Sequence, residues 1–192
     1  MHTMKKTLLA LALAGAAFAG QAATVTVTFD NPIFNGSGYD AVHIQFPLAS
    51  GSKTEYVAAG RFQGSATNLV GVEPGIFVDG VNDLLMYCYD IYEDIHSSAV
   101  VDYQINFGGA LARTLDFLGA VNTSMSGSGN YDPYAWLHPA DRNQGAAIQL
   151  GIWESRYETG SDWDLAAGSF KAWSLDATTS TYWNQFTQAI GT

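Results

Sequence analysis

The hydrophobic pattern of this chain changes period once, near position 107, and that change limits the folds open to it. Before it, Thr24–Phe29 alternates Thr with Val, and Ala41–Phe46, Glu55–Phe62, Asn68–Val78, Leu84–Tyr92 and Val100–Phe107 are rich in β-branched and aromatic residues. Such segments predict strands. Turn-forming runs such as Asp30-Asn31-Pro32, Asn35-Gly36-Ser37-Gly38 and Ala49-Ser50-Gly51-Ser52 separate them. After the change, Leu111, Leu115 and Leu118 recur at helical spacing and predict a helix over Gly109–Ala120. A Ser-, Gly- and Asn-rich loop follows at Asn122–Asp132. Pro139 then opens a helical stretch over Ala140–Tyr157, with proline at its tolerated first position. Gly145 and Gly151 weaken that stretch, so it needs tertiary packing to hold. A last helix over Thr181–Ile190 places Tyr182, Trp183, Phe186 and Ile190 on one face. With no internal repeat and no long linker, residues 24–192 read as a single α+β domain. Its expected form is a strand-rich N-terminal barrel or sandwich with helices packed over it.

The first 23 residues read differently. Met4-Lys5-Lys6-Thr7 is a short basic region, Leu8–Phe18 is apolar, and small residues follow at Ala17, Ala19, Ala22 and Ala23. That is the pattern of a secretory signal peptide cleaved between Ala19 and Thr24, and it is too short for a membrane span. The expectation is a bacterial protein exported to the cell surface or beyond, with no membrane span in the mature chain.

Charge narrows the partners. The whole chain carries −10, and without Lys5 and Lys6 it carries 18 acids against 6 bases. So negative a surface repels phosphate backbones and anionic lipid, which argues against nucleic-acid binding and electrostatic membrane docking. A hydrophobic content of 47% is ample for a core. One cysteine excludes an internal disulfide and a cysteine-based zinc site, so the lone sulfur of an exported chain needs a reason.

Cys88 lies in Leu84-Leu85-Met86-Tyr87-Cys88-Tyr89-Asp90, where strand alternation would put it on one face with Leu84, Met86 and Asp90. In the second predicted helix, Gln149, Ile152 and Trp153 fall on one face. That sets a primary amide among bulky apolar residues, where an unpaired polar group is costly. Taken singly, Cys88 reads as a small buried hydrophobe and Gln149 as a core amide bonded to backbone.

Taken together, Tyr87-Cys88-Tyr89 and the downstream Ile148-Gln149-Leu150-Gly151-Ile152-Trp153 resemble the signature of bacterial thioester domains. The same stretches are similar to secreted Gram-negative proteins with PEP-CTERM sorting signals. The chain departs from that second pattern by ending at Gly191-Thr192 with no Pro-Glu-Pro, apolar tail or basic cluster, which reads as truncation, processing or release. The resemblance implies a Cys88–Gln149 thioester and covalent attachment to an amine-bearing surface protein or polysaccharide, as in adhesion or biofilm matrix. It implies a single turnover at most rather than enzyme catalysis, with no cofactor and no metal. Met86, Tyr87, Asp90, Ile152 and Trp153 would support the pair, and the apolar ones among them would exclude water.

Other constellations carry alternatives. Cys88 and Gln149 as plain core residues would fit a matrix or filament subunit that self-associates through strand edges. Trp136, Trp163 and Trp173 would suit a carbohydrate-binding module. Asp90, Glu93 and Asp94 could pair as carboxylates, and His96 and His138 could move protons. Oxygen clusters at Asp30-Asn31, Asn35 and Asp40, at Asn130-Tyr131-Asp132 and at Ser161-Asp162-Trp163-Asp164 could hold calcium, but none has the EF-hand spacing and turn formation explains them as well. No hydrolase, zinc-protease or P-loop motif is present.

Overall fold

The computed structural model describes residues 23–106, 110–127, 130–158 and 160–191. The signal segment therefore lies outside the described residues, apart from Ala23. Seven strands and three helices follow in order: β1 Thr24–Phe29, β2 Asp40–Pro47, β3 Ser52–Ala59, β4 Phe62–Val70, β5 Leu84–Met86, β6 Val100–Gln104, α1 Ala112–Met125, α2 Arg142–Tyr157, β7 Lys171–Trp173 and α3 Ala177–Gln188. The α+β class holds, with a strand-rich N-terminal half and helices after it, the short β7 falling between α2 and α3. Among the described residues the strands form two antiparallel sheets and no closed barrel.

The first sheet runs β5-β4-β1-β6. Alternation in β1 turns Val25, Val27 and Phe29 inward onto Phe62, Ala66 and Leu84, leaving the threonines on the other face. The second sheet runs β3-β2-β7 and turns Val42, Ile44 and Phe46 toward α2. Two apolar cores result, one under each sheet. Cys88 packs against both.

Four local expectations need correction. Residues 68–78 do not form one strand: β4 ends at Val70, and a short 3₁₀ turn at Pro74–Ile76 follows, where proline cannot donate to a ladder. The strand expected over 84–92 stops at Met86, so Cys88 stands in a loop and the alternation argument for its face does not apply. Helix α1 starts and ends later than expected and is rotated. It buries Thr114, Phe117 and Val121, while Leu111 and Leu115 are 47% and 56% exposed. Helix α2 begins after Asp141 rather than at Pro139, because the Asp141 carboxylate caps the Asn143 and Gln144 amides.

Helix α2 is the spine of the molecule. Its residues from Gln144 to Ser155 are all buried, and it contacts α1, α3, β2 and β3. A helix covered on every side is a core helix. Gly151 is what lets α1 approach: a Cβ there would meet the Phe117 ring at 1.9–2.4 Å, and that ring is fully buried. At Gly145 a Cβ would meet only Pro139 and the Arg61 amide at 3.4–3.5 Å. Gly151→Ala is therefore expected to cost about 2 kcal/mol in denaturant unfolding, through overpacking that outweighs its gain in helix propensity. Gly145→Ala should change stability by less than about 1 kcal/mol.

Candidate functional site

Positions 149, 153 and 157 of α2 fall one turn apart and form a single stripe along the helix. All three reach the loop that follows β5. The Cys88 amide donates to Gln149 Oε1 at 2.9 Å, and Gln149 Nε2 donates to the Cys88 carbonyl at 2.7 Å. One side-chain amide thus closes a two-bond ring with the backbone of a residue 61 positions away. Gln149 is 1% exposed, so these bonds replace water that it has lost. Tyr157 accepts from the Ile91 amide at 3.0 Å and donates to the Asp90 carboxylate at 3.1 Å. Between them Trp153, 4% exposed, turns its indole toward Cys88.

The Cys88 thiol donates to the Asp90 carbonyl at 2.9 Å. Burial pushes its pKa up to about 11, and the charges of Asp90 and Glu93 act in the same direction. The Trp153 N–H, which makes no regular hydrogen bond, favours the thiolate and opposes that rise. Alkylation of free Cys88 in the folded protein should therefore be slow at pH 7 and climb about tenfold per pH unit toward 11. In urea it should follow an ordinary thiol near ~8.5, and stopped alkylation read by mass would measure both.

Cys88 is the meeting point of two cavities. A smaller one, about 280 Å³, runs between Glu55, Glu93, Asp94, Trp153 and Cys88. A larger one, about 620 Å³, is walled mostly by apolar side chains such as Phe29, Phe77, Met86 and Tyr103, with Asp90 and Glu93 also lining it. Tyr103 has a raised pKa from burial and the charge of Glu93.

The sequence candidates divide on this geometry. Cys88, Gln149, Trp153, Asp90 and Met86 are gathered, with Met86 on the larger cavity and Trp153 on the smaller. Tyr87 also lines the larger cavity, and its ring packs on Trp136 with its hydroxyl buried and unpaired. Ile152 is buried in the helix-side core and lines neither cavity. His96 and His138 are exposed and line neither, and His138 faces Asp79 at 3.5 Å. Trp163 is sandwiched between Phe117 and the Arg113 guanidinium, whereas Trp173 stacks on His43 and remains 41% exposed. Among the oxygen clusters, Asp40 binds the Asp176 amide and the Thr179 hydroxyl at the start of α3, and Asp132 and Asp164 each bond an amide two residues on. Tyr157 escaped notice in the sequence, although the period running from Gln149 through Trp153 passes through it.

Glu154 was also missed. Its carboxyl is 1% exposed, takes the Asp164 amide at 3.3 Å, and lies 3.8 Å from Arg113, with its second oxygen unpaired. Burial raises its pKa to about 8, against the opposing pull of the Asp164 N–H and Arg113. Between the unfolded value of 4.5 and about 8 the folded protein holds a proton that the unfolded chain has released. Stability is thus full below pH 4.5 and is lost as pH rises to 8, by up to about 1.4 kcal/mol per unit. Glu154→Gln should remove that slope, and the gap between the two proteins' urea unfolding energies from pH 5 to 8 would measure it.

No family model, curated protein or solved structure matches the chain. Among the described residues no helix is long and apolar enough to cross a membrane, and no group of three His, Cys, Asp or Glu side chains is placed to hold a metal.

Proposed function

We propose that Cys88 and Gln149 form an intramolecular thioester through which the exported chain attaches covalently to amine groups on a surface partner. The observation that carries this reading is the docking of the Gln149 amide on the backbone of Cys88, a residue that lines two cavities. Sγ adds to the Gln149 side-chain carbon, and the carbonyl electron pair moves onto Oε1. The Cys88 N–H already bonded to Oε1 faces the developing negative charge. The thiol proton passes to Nε2, the C–N bond breaks, and ammonia leaves. The bond from Nε2 to the Cys88 carbonyl keeps the amide in one orientation beforehand.

The high thiol pKa has two consequences for such a bond. Little thiolate is present at neutral pH, so closure is slow, and the same thiolate is a poor leaving group, so the closed acyl group persists. An amine that reaches the carbon expels the sulfur and leaves a permanent amide. The reaction runs once per chain.

A second reading, a structural matrix subunit, is favoured by one fact. The two bonds to Cys88 are also what an architectural glutamine needs to be buried without loss. Intact mass separates the two. The non-reduced protein should be lighter than its sequence by one ammonia, gain one methylamine on incubation, and show neither change as Cys88→Ala. Full mass with an alkylatable Cys88 and an unchanged Gln149 would overturn the thioester and leave the subunit reading.

A further inference from the structure

We infer that the smaller cavity at Cys88 is the entry for the amine, and that Glu93 and Asp94 select amines carrying a second positive charge a few carbons from the reacting nitrogen, as in an α,ω-diamine or polyamine. This deepens the proposed thioester and rests on it. The two cavities at the sulfur differ in kind. Both reach Glu93 as well as Cys88; the larger adds Asp90 to walls that are mostly aromatic and aliphatic, whereas the smaller adds Glu55, Asp94 and the Trp153 indole. The chain's own alkylammonium already occupies part of that rim: Lys53 Nζ pairs with Glu55 and feels the charge of Asp94. Glu55 is thereby satisfied, and Glu93 and Asp94 are left to face an incoming cation. Trp153 lines the same cavity, nine-tenths buried and with its indole N–H free of a regular partner at the Cys88 end.

A reacting amine must be neutral to attack, so a monoamine gains nothing from these carboxylates at the moment of reaction. A diamine does, because its far ammonium stays charged on the rim while its near nitrogen enters. That nitrogen bonds to the Gln149 side-chain carbon, the C–S bond breaks, and its electron pair goes to Sγ. The proton lost by the nitrogen is taken up by the sulfur, giving a substituted amide and a free Cys88 thiol. Cys88 lines this cavity whereas Gln149, 1% exposed, lines neither, so the nitrogen has to reach the acyl carbon from the sulfur side.

Adduct formation followed by intact mass tests this, using butylamine and 1,4-diaminobutane at equal concentrations of neutral amine and low salt. The diamine should react about threefold faster, the effect expected of one favourable charge contact with exposed carboxylates. Salt at 0.5 M should bring the ratio toward one, since screening then acts within a few ångströms. Glu93→Gln with Asp94→Asn should do the same at low salt, and because the ratio is taken within each protein, a general loss of reactivity cannot imitate it. Equal rates for both amines in a protein that does take up methylamine would overturn the selection while leaving the thioester in place. No adduct with any amine, methylamine included, would overturn both.

Discussion

The pair of hydrogen bonds between Gln149 and the Cys88 backbone is the contact on which the rest of the molecule turns. Two sheets with separate apolar cores need something to hold them in register, and the loop after β5 is where the cores meet. Helix α2 clamps that loop with Gln149 at one end of a stripe and Tyr157 at the other, two turns apart. A buried amide that lost its loop would leave a donor and an acceptor unpaired, at about 1–3 kcal/mol each. The clamp is therefore decisive for the loop's conformation whether or not any covalent bond forms.

Helix α2 can hold this position only because it is itself held on every side. Gly151 admits the Phe117 ring from α1, and Asp141 fixes the first turn. Asp40, at the start of β2, ties the second sheet to the first turn of α3. The Arg113 and Glu154 pair joins α1 and α2 beside the 160–164 loop, where the guanidinium binds the Gly160 and Asp162 carbonyls and covers the Trp163 ring. A carboxyl that stays protonated near neutrality there is consistent with a nearly dry helix interface.

Much of the fold was legible because one-sided burial writes a period into the sequence. Thr24–Phe29 matched β1 residue for residue, and the central strand of the second sheet was found within a residue at each end. The failures fall where that logic lapses. Residues 84–92 are aliphatic or aromatic apart from Cys88 and Asp90 because the loop borders two cores, so composition reads it as strand although pairing stops at Met86. In α1 the leucines advertised a face that the fold turns outward, because Gly151 demanded Phe117 instead. β7 is three residues long and exists only as a partner for β2, which no local signal announces. At the site, Cys88 and Gln149 stood out by being chemically anomalous among apolar neighbours. Tyr157 and Glu154 did not, since their roles depend on tertiary partners: Tyr157 takes the Ile91 amide and Asp90, and Glu154 takes Asp164.

An acyl group stored inside a protein has to be safe from that protein's own amines, and the arrangement of lysines here would meet that requirement of the proposed thioester. Residues 24–192 contain only Lys53 and Lys171. Lys171 lies on β7 opposite Gln45, one residue from Ala172, which packs inward beside Ile44, so strand alternation turns it away from α2. Lys53 is closer to the site, at the rim of the acidic cavity, yet its hydrogen bond to Glu55 raises its pKa and keeps it an ammonium, which has no lone pair to attack with. Glu55 thus disarms Lys53, while its neighbours on the same cavity, Glu93 and Asp94, would draw a foreign cation toward Cys88. One acidic cavity would serve both needs of the proposed thioester, because ion pairing stabilises the charged form of any amine while only a molecule with a second nitrogen can be charged beside the carboxylates and neutral at the sulfur.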